Sequence, residues 1–219
     1  MKDKKCLQTL CVLRRKALSY GRRGVLGRKV VGYGGLGAAL TIILATLAWA
    51  SGAAADTCKA IHIFTGKAAG SYPTGNLTFD AAGNLYGTTE SGGSANCFGG
   101  CGVVWKLAPN PDGTWTVSIL HSFTGANGAD PHGELLFDAT GNLYGTTFQS
   151  SGSGCFGSGC GVVFKLAPTS SGWSETVLHS FLGQGSNPHA PVIFDPAGNL
   201  YGTTQSGTNN NGLVFEITK

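Results

Sequence analysis

Five cysteines and five histidines lie between residues 56 and 219, and their spacing limits the chemistry open to the chain. Cys97-x3-Cys101 and Cys155-x4-Cys160 occupy equivalent Gly-rich loops. In an oxidising compartment such a pair reads as one disulfide inside each loop, worth about 2 kcal/mol apiece in the loop-entropy picture. The competing reading, a four-cysteine zinc site, needs two separate loops to converge and departs from the usual C-x2-C spacing; the disulfides are the expectation. The third equivalent loop carries Thr208-Asn209-Asn210-Asn211 instead, so the cross-link is an accessory. Cys58 is left over, open to an interchain disulfide or a free thiol.

His62, His121 and His179 recur at one repeated place, which raises the thought of a shared metal. They fall in the outermost run of each repeat, however, far from a common axis, so they read as edge-strand histidines and no metal is expected. His132 and His189 each follow a proline in a connecting loop. With Tyr72, Phe98, Phe148 and Phe156 they make a candidate binding face, an aromatic and polar mixture suited to carbohydrate or protein. The plainer alternative is that Phe98 and Phe156 only cap their own cysteine loops.

Catalytic signatures are missing from the sequence. No G-x-S-x-G elbow is present. Asp80, Asp138 and Asp195 belong to a repeated turn and lack the alternating carboxylates of a calcium loop. No paired carboxylates are expected at one repeat-specific place. Gly32-Tyr33-Gly34-Gly35-Leu36-Gly37 matches a dinucleotide-binding pattern, but it lies in an N-terminal targeting segment and not between a strand and a helix. We therefore assign no catalytic residue, no metal and no cofactor. The alternative is an extracellular hydrolase or lyase, which would require an asymmetric acid/base pair or metal cluster.

These residues are positioned by a repeat. Gly83-Asn84-Leu85-Tyr86-Gly87-Thr88-Thr89 returns at residues 141–147 and 198–204. Leu77-Thr78-Phe79-Asp80 returns at 135–138 and 192–195, and Gly102-Val103-Val104-Trp105-Lys106-Leu107 at 161–166 and 212–217. Ser118-Ile119-Leu120-His121-Ser122-Phe123 returns at 176–181. Each unit thus holds four short runs of β-branched and aromatic residues divided by Gly, Asn, Asp, Pro and Ser. Asp80-Ala81-Ala82-Gly83-Asn84 fits a tight hairpin turn closed by a left-handed glycine.

Four antiparallel strands at a period of about 57 residues suit a β-propeller blade. The boundaries are roughly 67–124, 125–182 and 183–219. The third unit stops after its third run, while Ala60-Ile61-His62-Ile63-Phe64-Thr65 has the pattern of a fourth. The expectation is an all-β, propeller-like body closed by pairing this N-terminal strand with the last repeat. A β-trefoil-like or β-prism-like three-fold body is the alternative fold. Propellers use four to eight blades, so either two chains join as a homodimer with six blades or three units close by themselves.

Residues 1–55 read as a signal peptide or signal-anchor. Ten of the fifteen Lys+Arg residues precede residue 30, and residues 30–55 carry no charge and end in Ala53-Ala54-Ala55. Residues 56–219 are then exported to the periplasm, the medium or the cell surface, with membrane attachment only if the leader stays uncleaved. That region has five lysines, ten carboxylates and no arginine, a net charge of −5. A surface of that kind cannot neutralise phosphates, which excludes nucleic acid. The expected partner is an extracellular glycan or protein.

The pattern D-x-x-G-N-L-Y-G-T-T, followed by a Gly-rich loop and G-V-V-F-K-L, resembles the GloVer tandem repeats of bacterial surface and secreted proteins. The resemblance covers residues 60–219. It implies a repeat module with varied anchoring devices at the chain ends and no assigned activity. More distantly the units resemble NHL-type blades, which serve enzymes and binding proteins alike.

Overall fold

Every unit is built outward from one aspartate. The computed structural model describes residues 58–93, 96–150, 160–182, 185–207 and 211–219; the leader, Cys155 and Phe156 lie outside them. Asp138 Oδ1 accepts hydrogen bonds from the backbone N–H of Thr140 (2.9 Å) and Asn142 (3.0 Å). Its Oδ2 accepts from Asn142 Nδ2 (2.7 Å) and the Tyr144 hydroxyl (3.1 Å). Asp80 makes the same contacts with Ala82, Asn84 and Tyr86, and Asp195 reaches Asn199 and Tyr201. Gly83, Gly141 and Gly198 close these turns at φ of 81°, 84° and 89°, where a Cβ would be strained.

The turns join two-residue strands to longer ones. The first sheet runs in the order β1 (Thr78–Phe79), β2 (Leu85–Thr89), β3 (Val103–Pro109), β4 (Trp115–Ser122). The second contains β5 (Ala129–Pro131), β6 (Leu136–Phe137), β7 (Leu143–Gln149), β8 (Val162–Thr169) and β9 (Gly172–Ser180). There β7, β8 and β9 follow in order, and β5 and β6 both pair with β7. In the third repeat β10 (Gly185–Ser186) pairs with β13 (Ser206–Gly207), and β11 (Ile193–Phe194), β12 (Leu200–Thr204) and β14 (Leu213–Ile217) form a three-stranded sheet. All pairings are antiparallel. The third and fourth strands slip register at one place in both complete units, between Val104 and Trp105 and between Val163 and Phe164. The fold is all-β, as expected.

The repeated spelling L-Y-G-T-T has a packing reason at its glycine. Gly145 lies opposite Phe164 across β7 and β8, and a Cβ there would stand 2.6 Å from the Phe164 ring. The aromatic ring covers the glycine, filling the space that a side chain would occupy.

Two of the three core clusters among the described residues lie between repeats, and the third lies within the first repeat. One cluster joins Tyr86, Val104 and Phe123 of the first unit to Leu135, Leu143, Phe164 and Leu166 of the second. Another joins Tyr144, Val163 and Phe181 to Val192 and Leu200, with Phe215 and Ile217 against it. Phe123 leaves β4 and packs edge-on to Phe164 (5.1 Å), and Phe181 does the same to Phe215 (5.2 Å). The segments around the first strands of neighbouring units also touch: Thr78 Oγ1 donates to the Leu135 carbonyl (2.6 Å), and Asn76 Nδ2 to Glu134 Oε2 (3.2 Å).

The structure corrects the expected closure. Residues 61–65 form no strand, and β14 pairs only with β12 among the described residues. Phe64 instead packs on Trp105 of the first unit at 5.2 Å, within the cluster of Leu85, Val103 and Leu107. The short link through Lys67–Ala69 holds the segment against the first repeat, whereas the hydrophobic clusters put the second repeat between the first and third.

Two outcomes test this construction. Phe123→Ala should cost about 3–5 kcal/mol, the range for emptying a buried aromatic site, as read by chemical denaturation. Burial would raise the Asp138 carboxyl, but hydrogen bonds from Asn142 and Thr140 outweigh it and hold it well below the ordinary range. Its contribution is complete above the ordinary carboxylate value and is lost as pH falls below about 4. Stability measured from pH 5 to pH 2 should drop, and Asp138→Ala should flatten that drop; an unchanged slope would disprove it.

Candidate functional site

The connecting loops place three of the sequence-selected residues in one cluster. His132 follows β5, Phe148 lies near the end of β7, and His189 follows β10. The His132 and His189 rings stack at 4.3 Å with an interplanar angle of 28°. Phe148 meets His132 edge-on at 5.5 Å and His189 at 5.7 Å. His189 is exposed and the other two are half-buried. Tyr72 and Phe98 are strongly exposed, but neither joins this stack. Phe98 instead borders an open depression with Lys67, Asn96, Cys97 and Gly99.

Backbone geometry fixes the cluster. Tyr72, Asp130 and Asn187 are repeat-equivalent, and all three adopt a left-handed conformation near φ 58–59°. The Asp130 N–H donates to the Cys101 carbonyl and the Asn187 N–H to the Cys160 carbonyl, each at 2.9 Å. Asn187 Nδ2 also donates to the Phe148 carbonyl at 2.9 Å. Cys97 and Cys101 are disulfide-bonded and adjoin the core between the first two units. Cys160 is also disulfide-bonded, and it is fully buried in the next junction. The Cys101 and Cys160 carbonyls therefore anchor the left-handed Asp130 and Asn187, two residues before His132 and His189. Cys58 is an exposed free thiol.

Sequence reasoning missed two carboxylates here. Glu90 follows β2 of the first unit, and Asp130 precedes His132 at the entry to the second. His132 Nε2 lies 3.0 Å from Asp130 Oδ1, and its Nδ1 lies 3.6 Å from Glu90 Oε1. Asp130 Oδ1 is buried at this contact. One ligand atom from each of Glu90, Asp130 and His132 falls within 4.8 Å of the others, a spacing that could hold a metal ion. The expectation that no carboxylates pair at a repeat-specific place is thus corrected. The equivalents of Glu90 are Phe148 and Gln205, and those of Asp130 are Tyr72 and Asn187, so no periodic signal marked the pair. Only folding brings the end of one repeat against the start of the next.

The three repeated histidines behave differently. His62, His121 and His179 each pack edge-on against the phenylalanine two residues ahead, at 4.6, 4.7 and 4.7 Å. His121 Nε2 also lies 3.2 Å from Glu175 Oε2, and Asn127 Nδ2 donates to the same oxygen. These contacts give the imidazoles a packing role.

Electrostatics makes His132 a pH-dependent link between repeats. Asp130, within hydrogen-bonding reach, raises its pKa; burial opposes that, and the charges of Asp130 and Glu90 add to the rise. A raised folded-state pKa stabilises the fold fully below the ordinary histidine value and loses that effect as pH rises through the folded value. Removing the charge by His132→Gln should cost about 1 kcal/mol near pH 5.5, as for partly screened ion pairs. The cost should shrink by pH 9 in denaturation curves; a pH-independent cost would show that the carboxylates do not act on the ring.

No helix among the described residues is long and apolar enough to cross a membrane. No curated protein matches the sequence. A family model described as the Gloeobacter/Verrucomicrobia repeat matches residues 48–219, which takes in the aspartate turns, the cysteine loops and the His132 cluster together. The chain belongs to the Gloeobacter/Verrucomicrobia repeat family.

Proposed function

We propose that residues 56–219 form an exported, non-catalytic binding module whose connecting loops recognise an extracellular glycan. The observation that carries this reading is the stack of His132, Phe148 and His189 beside Glu90 and Asp130. Ring faces suit the C–H faces of a sugar, and flanking carboxylates accept hydrogen bonds from its hydroxyls. Loops held on a rigid β scaffold are a common place for such recognition. The basic leader and the Cys97–Cys101 disulfide support export to an oxidising compartment.

The units pack as propeller-like blades in this reading. Two features support it: the same aromatic junction occurs twice, and the inner segments of neighbouring units are hydrogen-bonded. The Glu90, Asp130 and His132 cluster is the one observation favouring a hydrolase or lyase, since it is asymmetric and holds two carboxylates with a histidine.

The full chain, applied to a glycan array, should bind a restricted set of sugars. Phe148→Ala and His189→Ala should each weaken that binding at least tenfold, about 1.4 kcal/mol, with little change in Tm. A blank array together with capture of a protein ligand would replace the glycan by a protein. Turnover of a bound sugar that disappears in Glu90→Gln would replace the binding module by the enzyme. N-terminal sequencing of the exported product should begin near Asp56; retention of residues before Val30 would show a signal-anchor.

A further inference from the structure

The two ends of the repeat array are unfinished in complementary ways. Val104 and Val163 are 0% exposed because a following unit covers them, whereas the equivalent Val214 is 75% exposed. Leu135 and Val192 are 2% and 1% exposed because a preceding unit covers them, whereas the equivalent Leu77 is 51% exposed. Phe137 packs edge-on to Tyr86 of the preceding unit, and Phe194 to Tyr144, both at 5.0 Å. Their equivalent Phe79 is exposed, and the tyrosine that would receive it by repeat symmetry is Tyr201 at the far end of the array.

Strand edges show the same mismatch. The outer edge of β3 is paired by β4 and that of β8 by β9, while β14 has no outer partner among the described residues. Residues 61–64, Ile-His-Ile-Phe, repeat the pattern at the end of β4 but pair with nothing as a strand. Phe64 already sits on Trp105 at 5.2 Å, as Phe123 sits on Phe164 at 5.1 Å. The segment is thus seated on its own first repeat in the place a preceding unit's last strand would reach.

We propose that a second copy of this chain completes both ends, with residues 61–64 of each copy pairing with β14 of the other to form a closed ring of six units. This rests on the reading of the units as propeller-like blades. The junction is the one already present twice within the chain, repeated between chains. Two copies of the three units make six, within the four to eight blades that close a propeller. A head-to-tail surface of this kind closes when the rotation returns on itself and otherwise runs on as a filament. By equivalence with Ser122 opposite Val103 and His121 opposite Val104, Ile63 would face the partner's Leu213 and His62 the partner's Val214. Pairing would also cover an exposed hydrogen-bonding edge, which proteins rarely leave bare.

The test uses the full chain in sedimentation velocity over a hundredfold concentration range. A discrete dimer that dissociates on dilution, with a Tm that falls alongside, is the expected result. Val214→Asp should weaken the dimer at least 100-fold while leaving the circular dichroism spectrum of the monomer unchanged, because that side chain is exposed in the single chain. As a second readout, Ile63→Cys and Leu213→Cys are introduced into separate Cys58→Ser chains, which are mixed and oxidised. Peptide mapping should find the two new thiols joined between chains. A concentration-independent monomer, an open-ended ladder of oligomers, or a dimer indifferent to Val214→Asp and lacking that link would each overturn the proposal. The His132, Phe148 and His189 cluster lies within one chain, so glycan binding by monomeric Val214→Asp separates failure of the ring from failure of the binding reading.

Discussion

One aromatic contact recurs through the molecule, and the rest of the structure depends on it: a phenylalanine leaving one unit enters the core of the next. Phe64 on Trp105, Phe123 on Phe164 and Phe181 on Phe215 are the same interaction at three places. A twisted sheet of four short strands has two faces and cannot bury both alone. Each unit therefore borrows its neighbour, and its fourth strand belongs by hydrogen bonding to one unit and by its terminal side chain to the next. Burying such a ring contributes roughly 1.5–3 kcal/mol, but its structural effect is larger, since it fixes the stacking of successive sheets.

The aspartate turns and covered glycines serve this stacking. Asp138 holds the Tyr144 hydroxyl, leaving the ring free to receive Phe194 of the following unit. Burial pushes the Tyr144 hydroxyl up to about 12, with the Asp138 carboxylate adding to the rise, so the pair stays a neutral phenol donating to an anion across the ordinary pH range. On the partner strand Lys165 extends its ammonium over the Tyr144 ring at 5.9 Å, and Lys106 covers Tyr86 at 5.8 Å. The third unit replaces that lysine with Glu216, which accepts a hydrogen bond from Tyr201 at 2.9 Å. The tyrosine of the third unit thus faces a carboxylate on its partner strand in place of an ammonium.

The periodic part of the sequence was the legible part. Strand order and the aspartate turn follow from words that recur at fixed offsets, and the Cys97–Cys101 link follows from spacing within one loop. The closing strand was misplaced because strand pattern alone cannot say which neighbour a segment reaches. Ile61 to Phe64 carries the right alternation, yet the link after Phe64 is short and ties the segment to the first repeat. Glu90 and Asp130 were invisible for the opposite reason. They are forty residues apart, lack repeated counterparts of the same type, and meet only because the end of β2 in one unit abuts the start of β5 in the next. Residue-type periodicity reveals the scaffold; a site made at a junction is written in the departures from it.

Those departures are arranged on identical backbone. Tyr72, Asp130 and Asn187 share a left-handed conformation, so each repeat supplies the same seat with a different side chain. A non-glycine residue at such a φ carries a conformational cost, and the cost is offset by a fixed partner where the cysteine carbonyls of Cys101 and Cys160 receive the N–H of the next unit. The outcome is a row of junctions with equal geometry and unequal chemistry: two carboxylates around an imidazole at the first, and an amide, a phenyl ring and an imidazole at the second. At a third junction made by the same rule, Gln205 would stand beside Tyr72 and Thr74. A single chain holds both sides of the first two junctions but offers the two sides of the third at opposite ends of its array. In the two-copy ring proposed above, the partner chain would supply the missing side of that last seat.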